Sequence, residues 1–171
     1  TATSADIQNY RNWYTYYRSR LLVAKAGIGQ AFAGLPPDNV STPAPRVGFG
    51  AINQGSGTID GVASANTIVN GLRTFNPAGR TAFFNSLYAE VPNGGTPLRR
   101  ALQGAGAYYE RPDNSGPWSE TPGTASTVAH LSCRQSYTIL TTDGYWNGDG
   151  ATGVAANNND GSAGTAISNP S

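Results

Sequence analysis

The sequence has very little sulfur, histidine or charge. Its 171 residues include one cysteine, one histidine and no methionine, and only 12% of them are charged. A single cysteine cannot build an internal disulfide framework, so Cys133 is a buried thiol, a reactive thiol, or half of a disulfide to another chain. Eleven basic and ten acidic side chains give a net charge of +1. A protein with so small a net charge does not have the strong positive field that nucleic-acid binding needs. Nucleic acid is therefore not an expected partner.

Long apolar runs are also missing. No run approaches the roughly 18 residues of a membrane-spanning helix, and no signal-peptide pattern opens the sequence. Glycine and proline are abundant instead, with 22 and 11 copies, a composition typical of loop-rich extracellular proteins. Because the sequence begins without methionine, we expect a processed or excised piece. Residues 150–171 are small and polar, and we expect a tail or loop without its own core.

Periodicity predicts three helices and two strands ahead of the C-terminal third. Apolar and aromatic residues recur at three- and four-residue steps over residues 6–33, which predicts one long amphipathic helix with its aromatic cluster in the core. A second helix is predicted after Asn76, because an asparagine cap followed by proline is a common helix start. The third is predicted over residues 98–110. The strands are predicted at residues 46–52 and 68–75.

The clearest functional signal lies in residues 137–144, Tyr-Thr-Ile-Leu-Thr-Thr-Asp-Gly. Their composition predicts a buried parallel strand that delivers Asp143 to its carboxyl end. A second loop, residues 93–97, places the hydroxyl of Thr96 at the start of the third helix. Alternating helices and strands favour an α/β fold with a mainly parallel sheet, and ligands bind at the strand ends of such sheets. Thr96 and Asp143 are therefore the candidate functional pair.

Two stretches, residues 94–102 and 139–147, resemble a von Willebrand factor A domain. More narrowly, they are similar to the N-terminal A-type domain of the PilY family, the type IV pilus tip-associated adhesin and biogenesis proteins. The resemblance implies a Rossmann-like, three-layer α/β domain with a mostly parallel sheet and long loops over residues 1–149. It also implies an extracellular location, at the bacterial surface or pilus tip. Further stretches that carry it are residues 12–20, 24–25, 46–49, 115–118 and 133–135.

The resemblance also implies a metal-ion-dependent adhesion site. Such a site combines an Asp-x-Ser-x-Ser loop with a threonine and an aspartate from two other loops, which correspond here to Thr96 and Asp143. Their oxygen atoms suit Mg²⁺, a hard ion that keeps several waters and can accept a partner's carboxylate. No Asp-x-Ser-x-Ser occurs, and the nearest sequence, residues 113–117, has proline where serine is needed. We therefore expect an incomplete domain, without its first strand and first metal loop, that binds Mg²⁺ weakly.

Alternative interpretations stay open for these residues. Thr96 is also an ordinary helix cap and Asp143 an ordinary turn residue. Asp149 and residues 157–161 could hold Ca²⁺, although neither has the full acidic spacing of a calcium loop. A hydrolase would need His130 with a serine or Cys133 as nucleophile, but no Gly-x-Ser-x-Gly motif is present.

The expected function is non-enzymatic adhesion or type IV pilus biogenesis. The expected partners are pilus components, a ligand on a host surface, or the rest of a parent protein. The main alternative is a structural piece that self-associates through an open sheet edge left by the missing strand.

Overall fold

The computed structural model describes residues 2–36, 44–55, 57–64, 67–124, 127, 130, 134–148 and 150–151. These residues form a mixed α/β structure. None of the helices among them is long and apolar enough to cross a bilayer. The helices are α1 Ser4–Tyr16, α2 Arg20–Ala33, α3 Pro77–Ala89 and α4 Leu98–Tyr109, and the strands are β1 Arg46–Gly50, β2 Gly57–Ile59, β3 Val62–Ser64 and β4 Ile68–Thr74.

The long N-terminal helix predicted from the sequence is two helices. Helix α1 starts with a capping box, in which Thr3 and Asp6 bond each other's backbone N–H groups. The break falls where the Ser19 side chain accepts a hydrogen bond from the N–H of Leu22 at 3.3 Å and starts α2. Serine is more favourable at the start of a helix than in its interior, because at the start its hydroxyl accepts a hydrogen bond from a backbone N–H that has no partner in the helix.

The aromatic cluster predicted to lie in the core is exposed, so that prediction was wrong. Helix α1 buries none of its residues. Tyr10 stacks on Tyr14 with ring centroids 6.2 Å apart, and both rings are more than half exposed. The helical period was real, but no described element covers this face.

The hydrophobic core instead lies between α2, α3 and the β1–β4 pair. Phe75, Phe83 and Leu87 are almost fully buried there, and Phe83 lies 4.7 Å from Phe32 between ring centroids. Helix α3 begins as predicted, with Asn76 accepting a hydrogen bond from a backbone N–H at 3.0 Å. The sequence predicts that Phe83, Phe84, Leu87 and Tyr88 of this helix face inward. That prediction is correct at Phe83 and Leu87, which are buried, and wrong at Tyr88, which is 56% exposed.

Both strand pairs are antiparallel, which corrects the prediction of a mainly parallel sheet for the described residues. Strand β1 pairs with β4, and β2 pairs with β3. Asp60 and Gly61 form the turn between β2 and β3, and both have positive φ values, 54° and 78°. Positive φ at both central residues is the conformation that tight two-residue hairpin turns favour. Parallel pairing needs a crossover of a dozen or more residues, usually a helix. No strand was predicted from the sequence between residues 57 and 64, so the β2–β3 hairpin was not expected.

The predicted strand at residues 137–144 does not form in the described structure. Residues 134–143 have no strand assignment, and residues 135–143 are all exposed. Strand-forming side chains specify a strand only when a neighbour pairs with the backbone, and no described segment does so here. The prediction that this stretch is buried was therefore wrong for the described structure.

Candidate functional site

The two loops that the sequence singled out meet in space through Asn147. The N–H of Thr96 donates to Asn147 Oδ1 at 2.7 Å. In return, the N–H of Asn147 donates to the carbonyl oxygen of Thr96 at 3.0 Å. This reciprocal pair joins the Gly-Gly-Thr loop to the segment that follows Asp143. We call the contact, formed by residues 94–99 and 145–148, the Asn147 junction.

Close packing around the junction depends on glycine. A Cβ atom at Gly95 would lie 2.5 Å from Asn147 Oδ1. Gly148 has a φ of 87°, in the left-handed region that favours glycine. On the other side, the Arg99 guanidinium lies 4.0 Å from the ring centroid of Trp146, within the range of a cation–π contact. The junction therefore combines backbone hydrogen bonds, an aromatic contact and a site where only glycine fits without movement.

Asp143 itself faces an arginine. Its Oδ2 lies 2.5 Å from Arg20 Nη1, at the first residue of α2, and the two side chains are 56% and 88% exposed. An exposed ion pair of this kind contributes about 1 kcal/mol or less. The pair nevertheless ties the segment that carries Asp143 to the α1–α2 corner, 123 residues earlier in the chain.

The described residues do not make a complete site for Mg²⁺. Thr96 and Asp143 supply hydroxyl and carboxylate oxygens of the right chemistry, but the cation that lies on the carboxylate is Arg20. Among the residues that the structure describes, no group of three or more histidine, cysteine, aspartate or glutamate side chains could hold a metal ion. Three sequence candidates, Cys133, Asp149 and residues 157–161, lie outside the described residues.

The sequence that most resembled the missing metal loop is engaged in a structural ion pair. Asp113 Oδ2 lies 2.8 Å from Arg111 Nε, and Arg111 Nη2 donates to Oδ1 at 2.9 Å. Hydrogen bonds from Arg111, with further ones from Ser115, hold the pKa of the Asp113 carboxyl well below its usual range. The Arg111 side chain is buried, so this charge needs Asp113 beside it. Asp113 is thus a partner of Arg111 in the described structure.

A polar cluster that the sequence analysis missed extends from this pair to the β2–β3 hairpin. Arg111 Nη1 donates to the carbonyl oxygen of Ile59 at 2.8 Å, and both carboxylate oxygens of Asp60 accept from Arg73. We call Asp60, Arg73, Arg111 and Asp113 the hairpin latch. The Asp-Gly pair at positions 60 and 61 was the sequence signal for a hairpin turn, but nothing in the sequence indicated which arginines it would meet.

His130, the candidate base of the hydrolase hypothesis, lies against the same loop. Its Nε2 is 3.1 Å from the carbonyl oxygen of Asp113. Pairing of His130 with Cys133 stays a prediction, because Cys133 is not among the described residues.

The chain is homologous to one part of a known pilus protein. Over 145 residues, 84% of its length, it is 41% identical to the type IV pilus biogenesis factor PilY1 of Pseudomonas aeruginosa PAO1. It is 40% identical over 148 residues to PilY1 of strain PAK, and 39% identical over 147 residues to PilY1 of strain UCBPP-PA14. The chain spans only about 12% of the length of these relatives. No protein-family profile and no solved structure matches the chain.

Proposed function

We propose that this chain is part of a type IV pilus biogenesis protein and acts at the bacterial surface or pilus tip as a non-enzymatic binding module. The observation that carries the proposal is the 41% identity to PilY1 over 145 residues. An identity of this size over 84% of the chain is far more specific than the short motifs alone. Its partners are then pilus components, a host-surface ligand, or the rest of the parent polypeptide.

A von Willebrand factor A-like architecture over residues 1–149 is the finer part of the proposal. It is supported by the Asn147 junction, since the resemblance requires the loop with Thr96 and the loop with Asp143 to be neighbours. The two segments lie 51 residues apart in sequence and exchange hydrogen bonds in both directions. In the complete architecture, residues 137–142 are a strand of the central sheet.

The test of the biogenesis role is a chimera. The matched segment of PilY1 in P. aeruginosa PAO1 is replaced by this chain, and surface pili are measured by shearing and immunoblotting in a strain without its own PilY1. Restored surface pili support the proposal, and a stable, exported chimera that gives no pili contradicts it. A matched chimera with Asn147→Ala reports whether the junction is needed. A deletion of the matched segment is the negative control.

A divalent metal at Thr96 and Asp143 is a second, separable part of the proposal. Calorimetric titration of Mg²⁺ and Mn²⁺ into chelator-stripped protein is compared with Asp143→Ala and Arg20→Gln. If the metal uses this carboxylate, binding disappears in the first variant and tightens in the second, because the competing guanidinium is gone. Equal heats in all three proteins would show that Asp143 is not a ligand.

A further inference from the structure

Two arginines converge on one backbone carbonyl in the loop that follows α4. Arg46 Nη1, at the start of β1, donates to the carbonyl oxygen of Ser119 at 2.6 Å. Arg134 Nη1 donates to the same oxygen at 3.4 Å. A second donor of Arg46, Nη2, bonds the carbonyl oxygen of Glu120. We call Arg46 and Arg134 the arginine pair.

No carboxylate of the described residues forms an ion pair with the arginine pair. The ion pairs of the described chain use other arginines, and the Glu120 side chain is exposed while its backbone contacts the pair. Arg73 and Arg111 of the hairpin latch lie against the same loop, and each has an aspartate partner. The loop therefore contacts two arginines with a counter-charge and two that have none among the described residues.

This arrangement places two positive charges where water screens them incompletely. Arg46 and Arg134 are both half-buried. A carbonyl oxygen can accept two hydrogen bonds, but it is neutral and does not cancel the charge of two guanidinium groups. Like charges on one oxygen repel each other, and partial burial makes that repulsion stronger than in bulk water. An oxyanion beside the pair would replace the repulsion with two attractions.

The arginine pair keeps hydrogen-bond donors for such a group. Each guanidinium carries five N–H donors, and the described contacts use two nitrogen atoms of Arg46 and one of Arg134. A guanidinium can also donate two parallel hydrogen bonds to one carboxylate, which fixes the orientation of the carboxylate as well as its position. The chemistry of the pair therefore suits a carboxylate.

We propose that the arginine pair binds a carboxylate of a partner polypeptide, with an aspartate or glutamate side chain placed between the two guanidinium groups. The inference rests on the proposed function, in which the partners are other polypeptides of the pilus or the rest of the parent chain. It adds the chemical class of the contact, which is an acidic segment. Charge-assisted hydrogen bonds are about twice as strong as neutral ones, so this contact contributes both affinity and position.

An NMR titration of the whole chain tests the proposal. The probe is a capped tri-glutamate peptide, and a capped tri-glutamine peptide is its neutral control. The Nε–H resonances of Arg46 and Arg134 should shift saturably with the acidic peptide, with a Kd of about 1 mM, and should not shift with the neutral one. The affinity should fall as salt is added, because salt screens exposed charges. Absence of saturable shifts at these two resonances, or equal shifts with both peptides, overturns the proposal.

Arg134→Gln separates binding from a structural role. Its contact with Ser119 is one long hydrogen bond, so the urea midpoint should stay unchanged while peptide binding weakens about tenfold, equivalent to about 1.4 kcal/mol. The matched control is Arg11→Gln, which removes the same charge from an exposed position on α1 and should leave binding unchanged. Equal weakening by both variants would refute the site, because it would show general charge attraction. Loss of binding only together with a lower midpoint would also refute it, because Arg134 would then be an anchor of the loop.

Inorganic phosphate distinguishes the source of the oxyanion. If phosphate binds the arginine pair more tightly than the acidic peptide does, the assignment of a polypeptide carboxylate is wrong. The titration uses neither pili nor PilY1, so its outcome is separate from that of the chimera. The chimera can restore pili while the peptide fails to bind, and the peptide can bind while the chimera gives no pili.

Discussion

The hairpin latch allows a direct test of how burial changes the free energy that an ion pair contributes to stability. Asp60→Asn removes the charge of this side chain but keeps its shape, and asparagine also tolerates the positive φ of 54° at this turn. The Asp60 side chain is 5% exposed and that of its partner Arg73 is 37% exposed. The variant leaves the Arg73 guanidinium partly buried without its counter-charge.

The expected cost follows from those exposures. Removing one partner of a fully buried pair costs about 3–5 kcal/mol. Arg73 keeps part of its hydration and the asparagine oxygen remains an acceptor, so we expect Asp60→Asn to lower the free energy of unfolding by about 2 kcal/mol. With a urea m value of about 2 kcal/mol/M, the midpoint should fall by about 1 M while m stays constant.

The matched control is the same chemical change at an exposed pair. Asp143→Asn removes the carboxylate that faces Arg20, where both side chains are more than half exposed, and should cost below about 1 kcal/mol. Both variants are measured by urea unfolding in chelator at low protein concentration, so that neither metal nor association contributes. Equal costs at the two sites, or a cost below about 0.5 kcal/mol for Asp60→Asn, would refute the argument from burial.

Three further predictions follow from the core, the latch and the junction. Phe83→Ala should lower the free energy of unfolding by about 3–5 kcal/mol, measured by chemical denaturation, because Phe83 is buried among the rings of the core. Asp113→Asn should be destabilising near neutral pH, and unfolding curves of the two proteins should converge in acid. The folded-state pKa of Asp113 is lowered, so its contribution is present above the unfolded-state value of about 3.9 and is lost as the pH falls below it. Gly95→Ala should displace Asn147, which hydrogen exchange at residues 145–148 would detect as faster exchange, with Gly106→Ala as an unobstructed control.

Local signals in the sequence predicted most of the regular elements. Asn76 followed by proline started α3 at the predicted position, since both residues act on the nearest backbone groups. The predicted strands at residues 46–52 and 68–75 match β1 and β4 within two residues. The neighbouring positions of the Thr96 loop and the segment after Asp143 were also predicted, although Asn147 makes the contact.

The failures have a common physical origin. Helical periodicity over residues 6–33 indicated one helix with one buried face. Ser19 instead divides this stretch into α1 and α2, and no described element packs over the apolar face of α1. The strand-forming composition of residues 137–144 indicated burial, yet a strand needs a neighbour and none of the described segments supplies it. A residue pattern shows which face a segment can bury and whether its backbone can form a strand. It does not show whether another element of the chain is present to cover that face or to pair with that strand.

The sequence by itself determined the starts of α3 and α4, the burial of Phe83 in α3, the strands β1 and β4, and the similarity to PilY1, because each depends on adjacent residues or on the order of residue types. Only the tertiary structure decided that the strands pair antiparallel, that Arg20 forms an ion pair with Asp143, and that Arg111 forms one with Asp113. Each of these contacts joins residues far apart in the chain, or selects one arginine among several that could pair with a given carboxylate. Distance and burial in the folded chain decide which arginine forms the pair, and neither can be read from sequence spacing.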